Sequence, residues 1–184
     1  VCLYFVTYKY YLYSERIWND RNFDKDTYLQ FIDIIKTSLK SINHDYKVIE
    51  EDNYEIVVFK NNPDAECVAE KSPKKLKDAI YYYLGTKDSE VEEKENRLHI
   101  IIDLIEPLLK KYKNENNLIS KTEEYVQLIR HPEIKKNESQ YKWFFNDKKA
   151  YLDELFMLCV FVKEYDLSKD TIKEFEGLKK KTAD

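Results

Sequence analysis

Glycine and proline are scarce, with Gly 2 and Pro 4 in 184 residues. β-Sandwiches and barrels consume both at turns that need a positive or a fixed φ, so a many-turned β fold is disfavoured. Gly85 and Gly177 stand alone. Neither a P-loop nor a dinucleotide fingerprint can therefore be written, because both need clustered glycines to bring backbone N–H groups against phosphate. No cofactor is implied. Cysteine is scarce as well: Cys2, Cys67 and Cys159 are odd in number, far apart and without a C-x-x-C. That pattern points away from a disulfide framework or zinc ribbon and predicts a reducing, cytoplasmic setting. The aromatic opening from Val1 to Tyr13 is too short for a membrane span and lacks the basic start and small-residue cleavage site of a signal peptide, so no membrane partner is expected. A first residue of Val predicts a fragment or a processed product. Charge of one sign is also lacking: a formal net charge of −4 gives no global attraction to nucleic acid or anionic lipid.

Hydrophobic residues at 43% and charged residues at 36% suffice for one core and a solvated surface, which predicts a single domain over residues 1–184. The 16 tyrosines, beside abundant Lys, Ile, Asn and Glu, match the codon drift of an AT-rich genome, so lysine and tyrosine clusters weigh less as binding signals.

Apolar spacing predicts a mainly α fold, a bundle of six or seven helices with one inserted β-hairpin at residues 46–59. Val1 to Trp18 is read as helix, with strand as the alternative because Val6, Thr7 and the tyrosines favour it. Asp24 caps a helix ending near Ser41, in which Tyr28, Phe31, Ile32, Ile35, Leu39 and Ile42 form the apolar stripe. Strands follow at Tyr46 to Ile49 and Tyr54 to Phe59. Asn62-Pro63 and Ser72-Pro73 each open a helix with a cap followed by Pro at the first helical position, the second helix stopping at Gly85. Capping boxes Ser89/Glu92 and Ser120/Glu123 open the longest helix, to Tyr112 with a bend at Pro107, and a shorter one to Ile129. Asp147 to Tyr165 is apolar nearly all round and predicts a central helix. Ser168 is read as the cap of a separate last helix.

On the long helix Glu92, Glu95, His99, Asp103 and Glu106 share roughly a quarter of the circumference, at about 100° per residue. Carboxylates and His in a bundle can hold metal, but dimetal bundles use Glu-x-x-His, and Asn96 stands at that offset from His99. The stripe is therefore read as a solvated face. Cys159, between Leu158 and Val160, is read as a small core residue. Lysines at 74, 75, 77, 110, 111, 113, 135, 136, 148 and 149 could track phosphates, with Tyr81, Tyr82 and Tyr83 stacking bases, although acids flank each cluster. The tyrosine run is read as the inner face and rim of a helix end.

Arg130-His131-Pro132 closes the shorter helix, where two cations complement the negative end of the dipole. An Ile-Arg-His-Pro segment between helices, followed by the apolar helix Tyr151 to Tyr165, resembles helical modules of bacterial abortive-infection and HEPN-type proteins over residues 89–165. The resemblance implies a metal-independent ribonuclease site shared across a dimer, with His131 as general acid/base and Arg130 on the phosphate. In that family four to six residues separate Arg from His, whereas here the two are adjacent. Two functions are thus expected to compete: a non-catalytic interaction or regulatory domain of a bacterial defence or stress system, binding a protein partner or a second copy, and a HEPN-like nuclease or toxin acting on RNA.

Overall fold

A computed structural model describes residues 25–50, 54–131 and 146–181. Those residues form six α-helices and one antiparallel hairpin, so the chain is mainly α with a small inserted β element. They fall into two compact units that divide between Asn62 and Pro63. The readings for Val1 to Trp18, the cap at Asp24 and the loop from Pro132 to Gln140 lie outside the described residues.

In the first unit, α1 (Lys25–Ser41) buries Ile35 and Leu39 on one side. Ile42, which the apolar spacing assigns to the same stripe, lies past the helix end and is exposed. The helix stops because Asn43 takes φ 57, a left-handed conformation Asn tolerates, and its N–H donates to Lys40 O at 3.0 Å. This turns the chain directly into β1 (His44–Glu50), which pairs with β2 (Tyr54–Lys60) from His44↔Lys60 to Glu50↔Tyr54. Both strands are longer than the sequence pattern predicts. Ile49, Val57 and Phe59 are the buried residues of one sheet face.

The second unit opens with α2 (Pro63–Glu70) and α3 (Lys74–Gly85). Pro63 begins its helix as predicted. At the next start Pro73 is the residue before the helix, and Ser72 is not its cap: the Ser72 hydroxyl donates back to Val68 O at 2.8 Å. Next come α4 (Val91–Tyr112), α5 (Asn117–Arg130) and α6 (Lys148–Lys181). Helices α4 and α6 run parallel and in register, since Lys148 meets Glu95 at their starts (2.7 Å) and Tyr112 meets Asp166 at the far end of α4 (2.9 Å). Antiparallel to α4 lies α5, tied by Lys113–Glu123 (3.2 Å) and Arg130–Asp103 (2.7 Å). Leu98, Ile101, Ile102, Ile105 and Leu109 of α4, Ile119, Val126 and Leu128 of α5, and Tyr151, Leu152, Leu155 and Phe156 of α6 form the shared core.

Neither capping box forms. Glu90 precedes α4 without a side-chain cap, and Ser89 is exposed. Asn116, in extended conformation, starts α5 one turn before Ser120 and accepts from Leu118 N (2.9 Å) and Ile119 N (3.3 Å). Asn116→Ala is accordingly expected to cost about 1 kcal/mol of stability, and Ser120→Ala almost nothing. Equal shifts of the two urea midpoints would contradict the assignment.

Ser168 caps nothing either. Its hydroxyl donates to Tyr165 O at 2.7 Å inside a continuous α6, a bond compatible with an uninterrupted helix. The 34 residues of α6 reach roughly 51 Å at about 1.5 Å per residue, against roughly 33 Å for α4. Asp147 accepts from Ala150 N at 3.0 Å at its start.

Candidate functional site

Three carboxylates of the α4 stripe, Glu95, Asp103 and Glu106, meet cations. Arg130, at the end of α5, places its guanidinium 2.7 Å from Asp103 and 3.4 Å from Glu106. Lys148 reaches Glu95 at 2.7 Å, and Lys110 reaches Glu106 at 2.9 Å. Hydrogen bonds from Lys110 and Arg130 hold the Glu106 carboxyl below its ordinary range. Burial works against the charge on Arg130, but Glu106 and Asp103 outweigh it and keep the guanidinium more firmly protonated. Arg130 is thus directed at two carboxylates of its own chain. Adjacent in sequence, His131 is exposed and forms the C-cap of α5, its backbone N–H donating to Gln127 O at 2.8 Å. Among the described residues no group of His, Cys, Asp and Glu could hold a metal ion.

A second cluster is more deeply set. The Lys94 side chain, 7% exposed, lies 2.8 Å from Asp153 and 2.9 Å from Asp88. The other Asp153 oxygen meets Lys149 at 2.9 Å, and the Tyr83 hydroxyl donates to Asp153 at 2.9 Å while its ring stacks on Phe156, centroids 4.2 Å apart. Burial, then the negative charge of Asp153, push the Tyr83 hydroxyl strongly upward. Asp153 is itself pushed up by burial, yet hydrogen bonds from Lys94, Lys149 and Tyr83 together win and hold it below its usual value. The bundle has a matching cluster beside the end of α4. Asp166 accepts from Lys163 (2.8 Å), Tyr112 (2.9 Å) and Lys111 (3.3 Å), which outweigh its burial and keep it ionised.

Nothing in the motif patterns flags these two clusters, although a weaker signal exists. Lys94 continues the apolar arc of Leu98, Ile101 and Ile105, and Asp166 that of Leu155, Cys159 and Val162, each at steps of three or four. A charged residue on a core arc needs a buried partner. Cys159 is buried as expected, and burial raises its thiol well above the usual range. Tyr81 and Tyr83 face inward. Tyr82 is half-buried, with Arg97 over its ring at 4.8 Å. Lysines 77, 110, 111, 113, 148 and 149 pair with carboxylates. Lys135 and Lys136 lie outside the described residues.

A further feature is apolar. From Asp170 to Glu176 every side chain of α6 is exposed, including Ile172 at 55% and Phe175 at 65%. Among the described residues the ion pair nearest this end that reaches another helix or loop of the unit is Lys169 to Glu115 at 3.3 Å.

Fold and site together define a mainly α chain of two compact units, the first with the hairpin and the second with internally neutralised charge clusters and one helix that outruns its neighbours. Among the described residues no helix is long and apolar enough to cross a membrane. No family model matches the chain, and neither curated proteins nor solved structures give a match.

Proposed function

We propose that the chain is a non-catalytic interaction domain that docks a partner through the projecting end of α6. The observation that carries this reading is the exposure of Ile172 and Phe175 on a helix that has left the core. Among the described residues the side chains from Asp170 to Glu176 are all exposed, and a helical end so little packed is marginal in water. Gly177 weakens it by about a further 1 kcal/mol relative to Ala. A docking partner would offset both costs by burying the two apolar side chains. The ionisable clusters favour the same reading, because Lys94 pairs with Asp153, Arg130 with Asp103 and Tyr112 with Asp166, each tie joining two helices of the bundle.

The test separates binding from folding. Ile172→Asp/Phe175→Glu is expected to leave the urea midpoint within experimental error, since both side chains are exposed, while abolishing capture of the partner held by the immobilised native domain. Retention of every captured protein by the double variant would refute the reading.

A further inference from the structure

We infer that the partner at this surface is a second copy of the same chain, laid antiparallel along α6. The inference rests on the docking reading of the helix end and adds the occupant and its register.

Ile172 and Phe175 do not extend the core arc. Taking about 100° per residue, Leu155, Cys159, Val162 and Asp166 share one side of α6. Phe161, Tyr165, Ser168, Ile172 and Phe175 share another, turned roughly a third of the circumference away. Their spacing alternates between four and three residues, as in the seam of a two-helix coil. Within the bundle this second stripe is only half covered: Phe161 and Tyr165 are half-buried, with ring centroids 6.4 Å apart, and Ser168, Ile172 and Phe175 are exposed. The exposed end of the stripe, from Ser168 to Phe175, is therefore open to a second helix.

Charge selects the occupant and its register. Lys169 and Glu176 flank the seam on one side at equivalent heptad positions, and such positions face each other when two helices pair antiparallel. Setting Ile172 opposite Phe175 of a second copy puts Lys169 beside the second copy's Glu176, and Glu176 beside its Lys169. Each attraction thus occurs twice. Sliding the pairing one heptad toward the bundle sets Lys169 against its own counterpart, a repulsion that disfavours the slip. Antiparallel pairing also opposes the two helix dipoles and keeps the two bundles at opposite ends. The contact Lys169 gives up, to Glu115, joins side chains 38% and 50% exposed and is of little value. A few helical turns bury less than the roughly 800 Å² per partner of a standard interface, so association is weak and concentration-dependent.

Sedimentation velocity of the full chain, from micromolar to millimolar, tests this. The native chain should pass from monomer to dimer. Phe175→Glu should raise the dissociation constant about tenfold or more. Lys169→Glu and Glu176→Lys should each weaken the dimer, and the doubly reversed Lys169→Glu/Glu176→Lys should restore it, which a merely apolar contact would not do. Circular dichroism of each variant checks that the bundle is intact. A dimer indifferent to Phe175→Glu, or one the double reversal fails to restore, would overturn the pairing. So would a chain monomeric throughout; if such a chain still captured a different protein through Phe175, docking would stand and self-pairing alone would fall.

Discussion

Asp153→Ala should lower the free energy of unfolding by about 2–3 kcal/mol, and Lys94→Met by about 1 kcal/mol or less. The asymmetry follows from what each change leaves behind. Without Asp153, the Lys94 ammonium, 7% exposed, keeps the more exposed Asp88 and the Tyr83 ring at 5.3 Å, and the Tyr83 hydroxyl loses the acceptor at 2.9 Å. Without the ammonium, Asp153 still has Lys149 and Tyr83, and an apolar chain of similar length fills the space. The loss at Asp153 is smaller than for a fully enclosed pair because its side chain is 36% exposed. Urea denaturation of the three proteins reads the difference directly, and equal losses would show that Lys94 does not depend on Asp153.

The same cluster sets a pH dependence. Asp88, Asp153 and Asp166 are each held below the ordinary aspartate value in the fold. A depressed folded pKa contributes stability that is present above the unfolded value, about 3.9, and is lost as the pH falls through the folded one. Stability should therefore drop on acidification below about pH 4, and Asp153→Asn should flatten that slope.

The second large effect is a cavity. Ile102→Ala should cost about 3 kcal/mol, because Ile102 is fully enclosed and its neighbours cannot close the space completely. Two residues away, Ile100 is 47% exposed, so Ile100→Ala should cost less than about 1 kcal/mol. Comparable losses at the two positions would mean that α4 is rotated about its axis relative to the arrangement described.

This pair also marks the reach of the sequence. Ile100, Ile101 and Ile102 are chemically alike, and an apolar arc drawn through Leu98, Ile101, Ile105 and Leu108 leaves Ile102 out. The structure buries Ile102 fully and leaves Leu108 half-covered. An arc locates the middle of a face; its width depends on how many neighbours press on it, and α4 touches α3, α5 and α6. Capping residues mislead for a related reason. Ser89, Ser120 and Ser168 each stand where a helix could start, but Asn116 outcompetes Ser120, and the hydroxyl of Ser168 is satisfied inside the helix it was expected to begin. The adjacent Arg130 and His131 were legible as two cations at a helix end. That the guanidinium turns onto Asp103 and Glu106, twenty or more residues earlier, was not.

What the residues alone determined is the local menu: helices wherever apolar side chains return every three to four positions, a hairpin where alternation and β-branched residues replace that period, and no glycine cradle for phosphate. The tertiary structure decided which charges meet, since Lys94 with Asp153, Arg130 with Asp103 and Tyr112 with Asp166 are set by the mutual rotation and register of packed helices. It also decided that α6 continues beyond its neighbours. A helix stops at a breaker or at a better competing bond, and α6 meets neither at Ser168, whereas α4 ends at Tyr112 where Asn116 begins the next helix.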